Sequence, residues 1–173
     1  GCPLIDGFVD INCDGILKIA VTGDSIVRGR GDADMNEQSG GYVLDLQQAL
    51  PNAVIENLGI PGVTSSRLFS EYRRNTPKMK KTYEKIKDID YLLIEVGTND
   101  YWDKGPAAAT IRNIDRIRSY LMHFCADNFG AAPLVTVATL HAPSLKMVAW
   151  LLMLTVMSSP KTIWLPKQIS NTI

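Results

Sequence analysis

Histidine is scarce in this chain, cysteine is scarce, and acid is missing altogether from its last quarter. Only His123 and His141 occur, only Cys2, Cys13 and Cys125, and no aspartate or glutamate follows Asp127. Net charge is missing too: eighteen basic residues balance eighteen acidic ones. That removes the positive excess by which nucleic-acid and anionic-membrane binders gather phosphates, so neither partner is expected. The longest near-continuous apolar run, residues 145–157, falls short of the roughly 20 residues that a membrane-spanning helix needs, so no membrane span is expected. The opening Gly-Cys-Pro has neither the basic nor the apolar region of a signal peptide, so a signal would be absent or already removed. What is present is ordinary. Of 173 residues, 46% are hydrophobic and 21% charged, and a chain of this length buries roughly 70% of its unfolded surface without metal or disulfide support.

Residues 1–16 read as an irregular leader or linker, and 17–173 as a single domain. Cys2 and Cys13 lie close together in the leader. A bridge between them would place the chain in an oxidising, extracellular compartment, and two reduced thiols are the alternative. Cys125 is expected in a core. Within the leader, Asp10-Ile-Asn12-Cys-Asp14-Gly15 puts oxygen ligands at alternate positions before a glycine turn, as Ca²⁺ coordination requires. The twelfth position is Val21 instead of a bidentate glutamate. The segment resembles half of a dockerin-type or thrombospondin-type calcium repeat, as found in larger multidomain secreted proteins. A solvated acidic turn is the competing reading, and no metal ligand is assigned.

Beyond the leader the pattern is regular. Apolar runs at 17–22, 53–58, 91–96 and 134–140 have strand length and the continuity of parallel strands buried on both faces. Between them lie stripes at helical spacing: Tyr42, Val43, Leu46 and Leu50; then Leu68, Phe69 and Tyr72; then Ile114, Ile117, Leu121 and Phe124. Alternating strand and helix implies right-handed crossovers, and so an α/β fold: a three-layer, doubly wound, flavodoxin-like sandwich around a central parallel sheet. Such sheets bind ligands outside the carboxyl ends of their strands.

Three strand ends carry small and polar residues: Gly23-Asp24-Ser25-Ile26, then Asn57-Leu-Gly59-Ile-Pro-Gly62-Val-Thr64, then Gly97-Thr98-Asn99-Asp100. A serine at a strand-to-helix turn exposes its Oγ for attack, and a glycine amide with an asparagine side chain can hold an oxyanion. Each segment alone is a common turn. Together and in order they resemble the first three blocks of the SGNH (GDSL-like) hydrolases over about residues 17–140. That resemblance implies Ser25 as nucleophile, with its own amide, the Gly62 amide and the Asn99 side chain as the oxyanion hole. It further implies hydrolysis of a carboxylic ester through an acyl-enzyme, with no cofactor. Family substrates range from acetylated carbohydrates to lipids and thioesters, and a secreted leader tilts the expectation toward carbohydrate acetyl esters.

The fourth block of that family, Asp-x-x-His, is absent: Tyr120 and Ala138 stand three residues before the two histidines. His123 lies off the apolar stripe of its helix and is expected on the surface. His141 follows the fourth strand and could approach Ser25. The change of character after about residue 140 points to a domain that is atypical or incomplete there, with its natural C-terminus missing, divergent or replaced. The competing function is a catalytically silent binding module that keeps the fold without the base. Weaker signals are set aside: Gly29-Arg-Gly31 lacks a third glycine for dinucleotide binding, Arg30-Gly-Asp32 is adhesion-like by letter only, and the basic 78–87 stretch reads as a solvated helix face.

Overall fold

The computed structural model describes residues 1–29, 41–74 and 76–137. A four-stranded, all-parallel sheet forms the centre. Its strands are β3 (Lys18–Gly23), β4 (Val54–Gly59), β5 (Tyr91–Glu95) and β6 (Leu134–Val137), in the spatial order β4-β3-β5-β6. The expected strands are all found, shifted by a residue at either end; positions 138–140 of the fourth lie outside the described residues.

Why those runs are continuously apolar is visible in β3 and β5. Ile19, Val21, Tyr91 and Leu93 face one layer, while Ala20, Leu92 and Ile94 face the other. Successive side chains of a strand point to opposite faces, so burial on both faces demands apolar residues at every position. One face is covered by α3 (Ser65–Arg73), α4 (Pro77–Lys85) and α6 (Ala107–Phe129), through Leu68, Tyr72, Met79, Ile114, Ile117 and Leu121. The other is covered by α2 (Tyr42–Ala49), through Val43 and Leu46. This is the three-layer α/β sandwich. In α6 the buried stripe runs Ile114, Ile117, Leu121, Cys125. Phe124, expected in that stripe, is rotated off it and stacks on Tyr83 at 4.1 Å, because the i, i+3, i+7, i+11 row falls on Cys125 instead.

The first sixteen residues pack onto this sheet. Strands β1 (Leu4–Ile5) and β2 (Phe8–Val9) form an antiparallel hairpin, and a Cys2–Cys13 disulfide closes the segment. Phe8 is buried edge-on against Tyr91 at 5.7 Å, and the Tyr91 hydroxyl donates to the Val9 carbonyl at 3.0 Å. Asp90, fully buried, accepts the amides of Ile11 and Lys18 at 2.7 and 2.8 Å and that of Asn12 at 3.2 Å. One carboxylate thus ties the leader to the starts of β3 and β5. The calcium-like residues each give one oxygen to the loop itself: Asp10 accepts from Gly15, Asn12 from Asp14, and Asp14 from Ile16. Among the described residues no group of three or more His, Cys, Asp or Glu side chains is placed to hold a metal, and no helix is long and apolar enough to cross a membrane.

Candidate active site

At the carboxyl edge of the sheet Gly23, Gly59 and Glu95 stand side by side in register across three strands. Gly23 is pressed against β5 so closely that a Cβ would lie 1.8 Å from the Glu95 carbonyl oxygen, so no other residue fits there. The chain then turns into α1 (Ser25–Arg28), a single helical turn. Buried Asp24 caps it, accepting the Ile26 amide at 2.9 Å, and Gly29 closes it in a left-handed conformation with φ 81°. Ser25 is therefore the first residue of the turn, half-buried, and its own amide has no intrahelical acceptor, while the Arg28 amide closes the turn on the Asp24 carbonyl at 3.2 Å.

One turn of helix is too short to be stable by itself. It is held by the second strand end. Buried Asn57 donates to the Val27 carbonyl at 2.8 Å and accepts the Gly59 amide at 3.0 Å, and Ile60 donates to the Gly23 carbonyl at 2.9 Å. Gly59 lies beneath Arg28, where a Cβ would come 2.4 Å from the Arg28 nitrogen. Beyond it Gly62 is exposed with φ 72°, in the left-handed region that favours glycine.

The third strand end is tied to the second. Asn99, on α5 (Thr98–Trp102), donates to the carbonyl of Val63, the residue after Gly62, at 2.8 Å. Next to it Asp100 accepts both the Ser65 amide at 2.8 Å and the Ser65 hydroxyl at 2.5 Å, and Asn113 of α6 donates to that hydroxyl at 3.0 Å. Hydrogen bonds thus tie the Ser25 turn to the second segment through Val27 and Asn57, and the second segment to the third through Val63 and Asn99. Asn57, Ser65 and Asp100 had no role assigned from sequence. The first and last lie inside the motifs, and their signal was polarity at positions that the fold buries. The Asn99 amide keeps a second N–H, since a carboxamide nitrogen carries two.

Behind the Ser25 turn sits a second polar group. Tyr42, at the start of α2, is hydrogen-bonded to Glu95, and Asp24 lies near both. Burial, and then the negative charge of Glu95, hold the Tyr42 hydroxyl well above its usual range. Burial, and then Asp24, raise the Glu95 carboxyl, against the lowering effect of the Tyr42 bond. Of the two histidines, His123 is exposed on α6 with Nδ1 2.6 Å from the Ser119 carbonyl. His141 lies outside the described residues.

The family model of the GDSL-like Lipase/Acylhydrolase family matches residues 21–169, well past the point near 140 where the recognisable motifs end. No curated protein matches the sequence significantly. Among solved structures, AlinE4, an SGNH-hydrolase family esterase, aligns with a TM-score of 0.56 at 21% identity, covering 74% of this chain and 61% of that one. A lipolytic protein of the G-D-S-L family from Desulfitobacterium hafniense DCB-2 aligns at 0.51 with 15% identity, covering 81% and 67%. At such identities the likeness is one of fold, and the chain spans about 61% of the length of AlinE4.

Proposed function

The chain belongs to the GDSL-like Lipase/Acylhydrolase family, and on that premise we propose that it is a serine ester hydrolase working through an acyl-enzyme on Ser25. The observation that carries this reading is the tying of all three motif segments at one sheet edge, the Ser25 turn to Asn57 and Val63 to Asn99. Ser25 Oγ attacks the ester carbonyl as a base removes its proton. The oxyanion is met by the amides of Ser25 and Gly62 and by the second N–H of Asn99, donors set in place before the charge develops. The alcohol leaves and water releases the acid. The base is a histidine, either His141 or one carried by an Asp-x-x-His segment that this sequence lacks.

Acetyl esters of carbohydrates are the proposed substrates. Tyr101 and Trp102, 76% and 73% exposed and edge-on at 5.8 Å, follow directly on Asn99 and Asp100 and offer flat apolar faces on which a sugar ring can rest. The Cys2–Cys13 disulfide supports an extracellular setting. A fluorophosphonate probe tests the assignment on the chain with an Asp-x-x-His segment appended: labelling there, and none of its Ser25→Ala variant, supports the enzyme. Failure to label well-folded protein supports the competing reading, a silent binding module, which the missing Asp-x-x-His favours.

A further inference from the structure

A cavity of about 370 Å³ opens beside the proposed nucleophile, between the ends of α1 and β4 and the helices α3 and α4. Its floor is apolar, with Leu58, Ile60, Tyr72 and Met79, while its wall carries Arg28, Lys78, Lys81 and Lys85. Lys78, Lys81 and Lys85 fall on one face of α4, at spacings of three and four residues, where like charges repel. Carboxylates answer them only in part. Lys85 pairs with Glu56 at 3.1 Å, and Glu71, the acid in the wall, is engaged by Arg74 at 3.0 Å. Among the described residues Arg28, Lys78 and Lys81 have no carboxylate within ion-pair distance.

This excess is local, because the chain as a whole is neutral. Its counterpart lies at the opposite, amino end of the sheet, where Asp10, Asp14, Asp88 and Asp90 gather around the leader. The cavity is lined by close chain neighbours of the proposed site residues. Arg28 stands three residues after Ser25, about 4.5 Å along the helix axis and on the same side of the turn. Ile60 and Pro61 lead from the cavity floor into Gly62.

We propose that this cavity is a subsite for a carboxylate carried by the substrate, so that the preferred esters are anionic ones whose acid group lies a few ångströms from the scissile bond. The proposal rests on the esterase reading of Ser25. The carboxylate is met by Arg28, Lys78 and Lys81, and the apolar floor takes the carbon skeleton that bears it. The 78–87 stretch stays a solvated helix face, and on this reading one side of it also forms the wall of a site.

The test uses a matched pair of acetyl esters, 4-acetoxybenzoate and its uncharged methyl ester, titrated calorimetrically at low salt into the Ser25→Ala protein so that nothing is turned over. Charge-assisted hydrogen bonds predict tighter binding of the anion by about tenfold. A Lys78→Ala, Lys81→Ala double variant, altered only at exposed positions, is expected to lose that preference while still binding the neutral ester. Equal affinities for the two esters, or a preference that survives in the double variant, overturns the subsite. Fluorophosphonate labelling of the chain with an Asp-x-x-His segment appended reads the premise separately. Labelling without charge preference removes the subsite and leaves the esterase, whereas charge preference without labelling keeps a carboxylate-binding cleft and removes the esterase.

Discussion

Gly23 and Gly62 are glycines for different reasons, and substitution separates them. At Gly23 a Cβ would be 1.8 Å from a backbone oxygen of the neighbouring strand, so Gly23→Ala has to pry β3 from β5. At Gly62 nothing lies within 4 Å, and only the left-handed backbone objects. Urea denaturation is expected to show a loss of about 3 kcal/mol or more for Gly23→Ala and about 1 kcal/mol for Gly62→Ala. The reverse ranking would show that the edge is packed differently. Glu95 supplies a second residue-scale expectation. Its carboxyl is raised by burial and by Asp24, so the folded state holds the proton more tightly than the unfolded chain does. Stability from this group is present in acid and lost as pH rises through the raised value. Glu95→Gln removes that loss, so its melting temperature relative to the parent should be higher at about pH 8 than at about pH 4. A pH-independent difference would refute the burial argument.

Among elements, α1 depends most on its surroundings. Four residues cannot hold a helical turn by themselves, and Asn57 supplies a bond that helps to do so, to the Val27 carbonyl, while its oxygen holds the Gly59 amide of β4. Asn57→Ala leaves the Val27 carbonyl and the Gly59 amide unsatisfied in a buried place, at about 1–3 kcal/mol each. Calorimetry should show that loss, and in the chain with an Asp-x-x-His segment appended fluorophosphonate labelling of Ser25 should fall more than stability alone predicts once the turn frays. The leader hairpin is the other dependent element. Its disulfide spans a sequence separation of 11, for which chain-entropy arguments give about 3 kcal/mol. Replacing Cys2 and Cys13 by alanine is expected to lower the denaturation midpoint accordingly and to expose Phe8. An unchanged midpoint would mean that Asp90 and Phe8 hold the hairpin alone.

At the scale of the whole molecule, the question is whether the proposed nucleophile has a base. Ser25 makes no hydrogen bond to a histidine among the described residues, and no acid follows Asp127. Loss of the histidine in a serine protease of unrelated fold costs on the order of 10⁶ in turnover. The 173-residue chain is accordingly expected to turn over p-nitrophenyl acetate near the uncatalysed rate, and to recover strongly when a C-terminal segment carrying Asp-x-x-His is appended. Robust turnover by the chain as it stands, abolished by His141→Ala, would instead make His141 the base.

Sequence alone determined the layers and the order of the three motif segments. Both are local properties: a doubly buried strand must be apolar at each position, a helix must show its stripe, and small residues at strand ends announce turns. It also determined that Ser25 stands at the start of a turn. What only the tertiary structure decided was which distant groups meet. Asn57 beneath α1, Asp100 on Ser65, Glu95 against Tyr42, and Asp90 gathering the leader are contacts between residues that are far apart in the chain. Their polarity looked like surface until the fold buried it. The basic cavity was equally illegible. Lys78 and Lys81 become the wall of a pocket only when α4 is laid against the end of β4 and brought opposite Arg28, which is decided by packing and not by pattern.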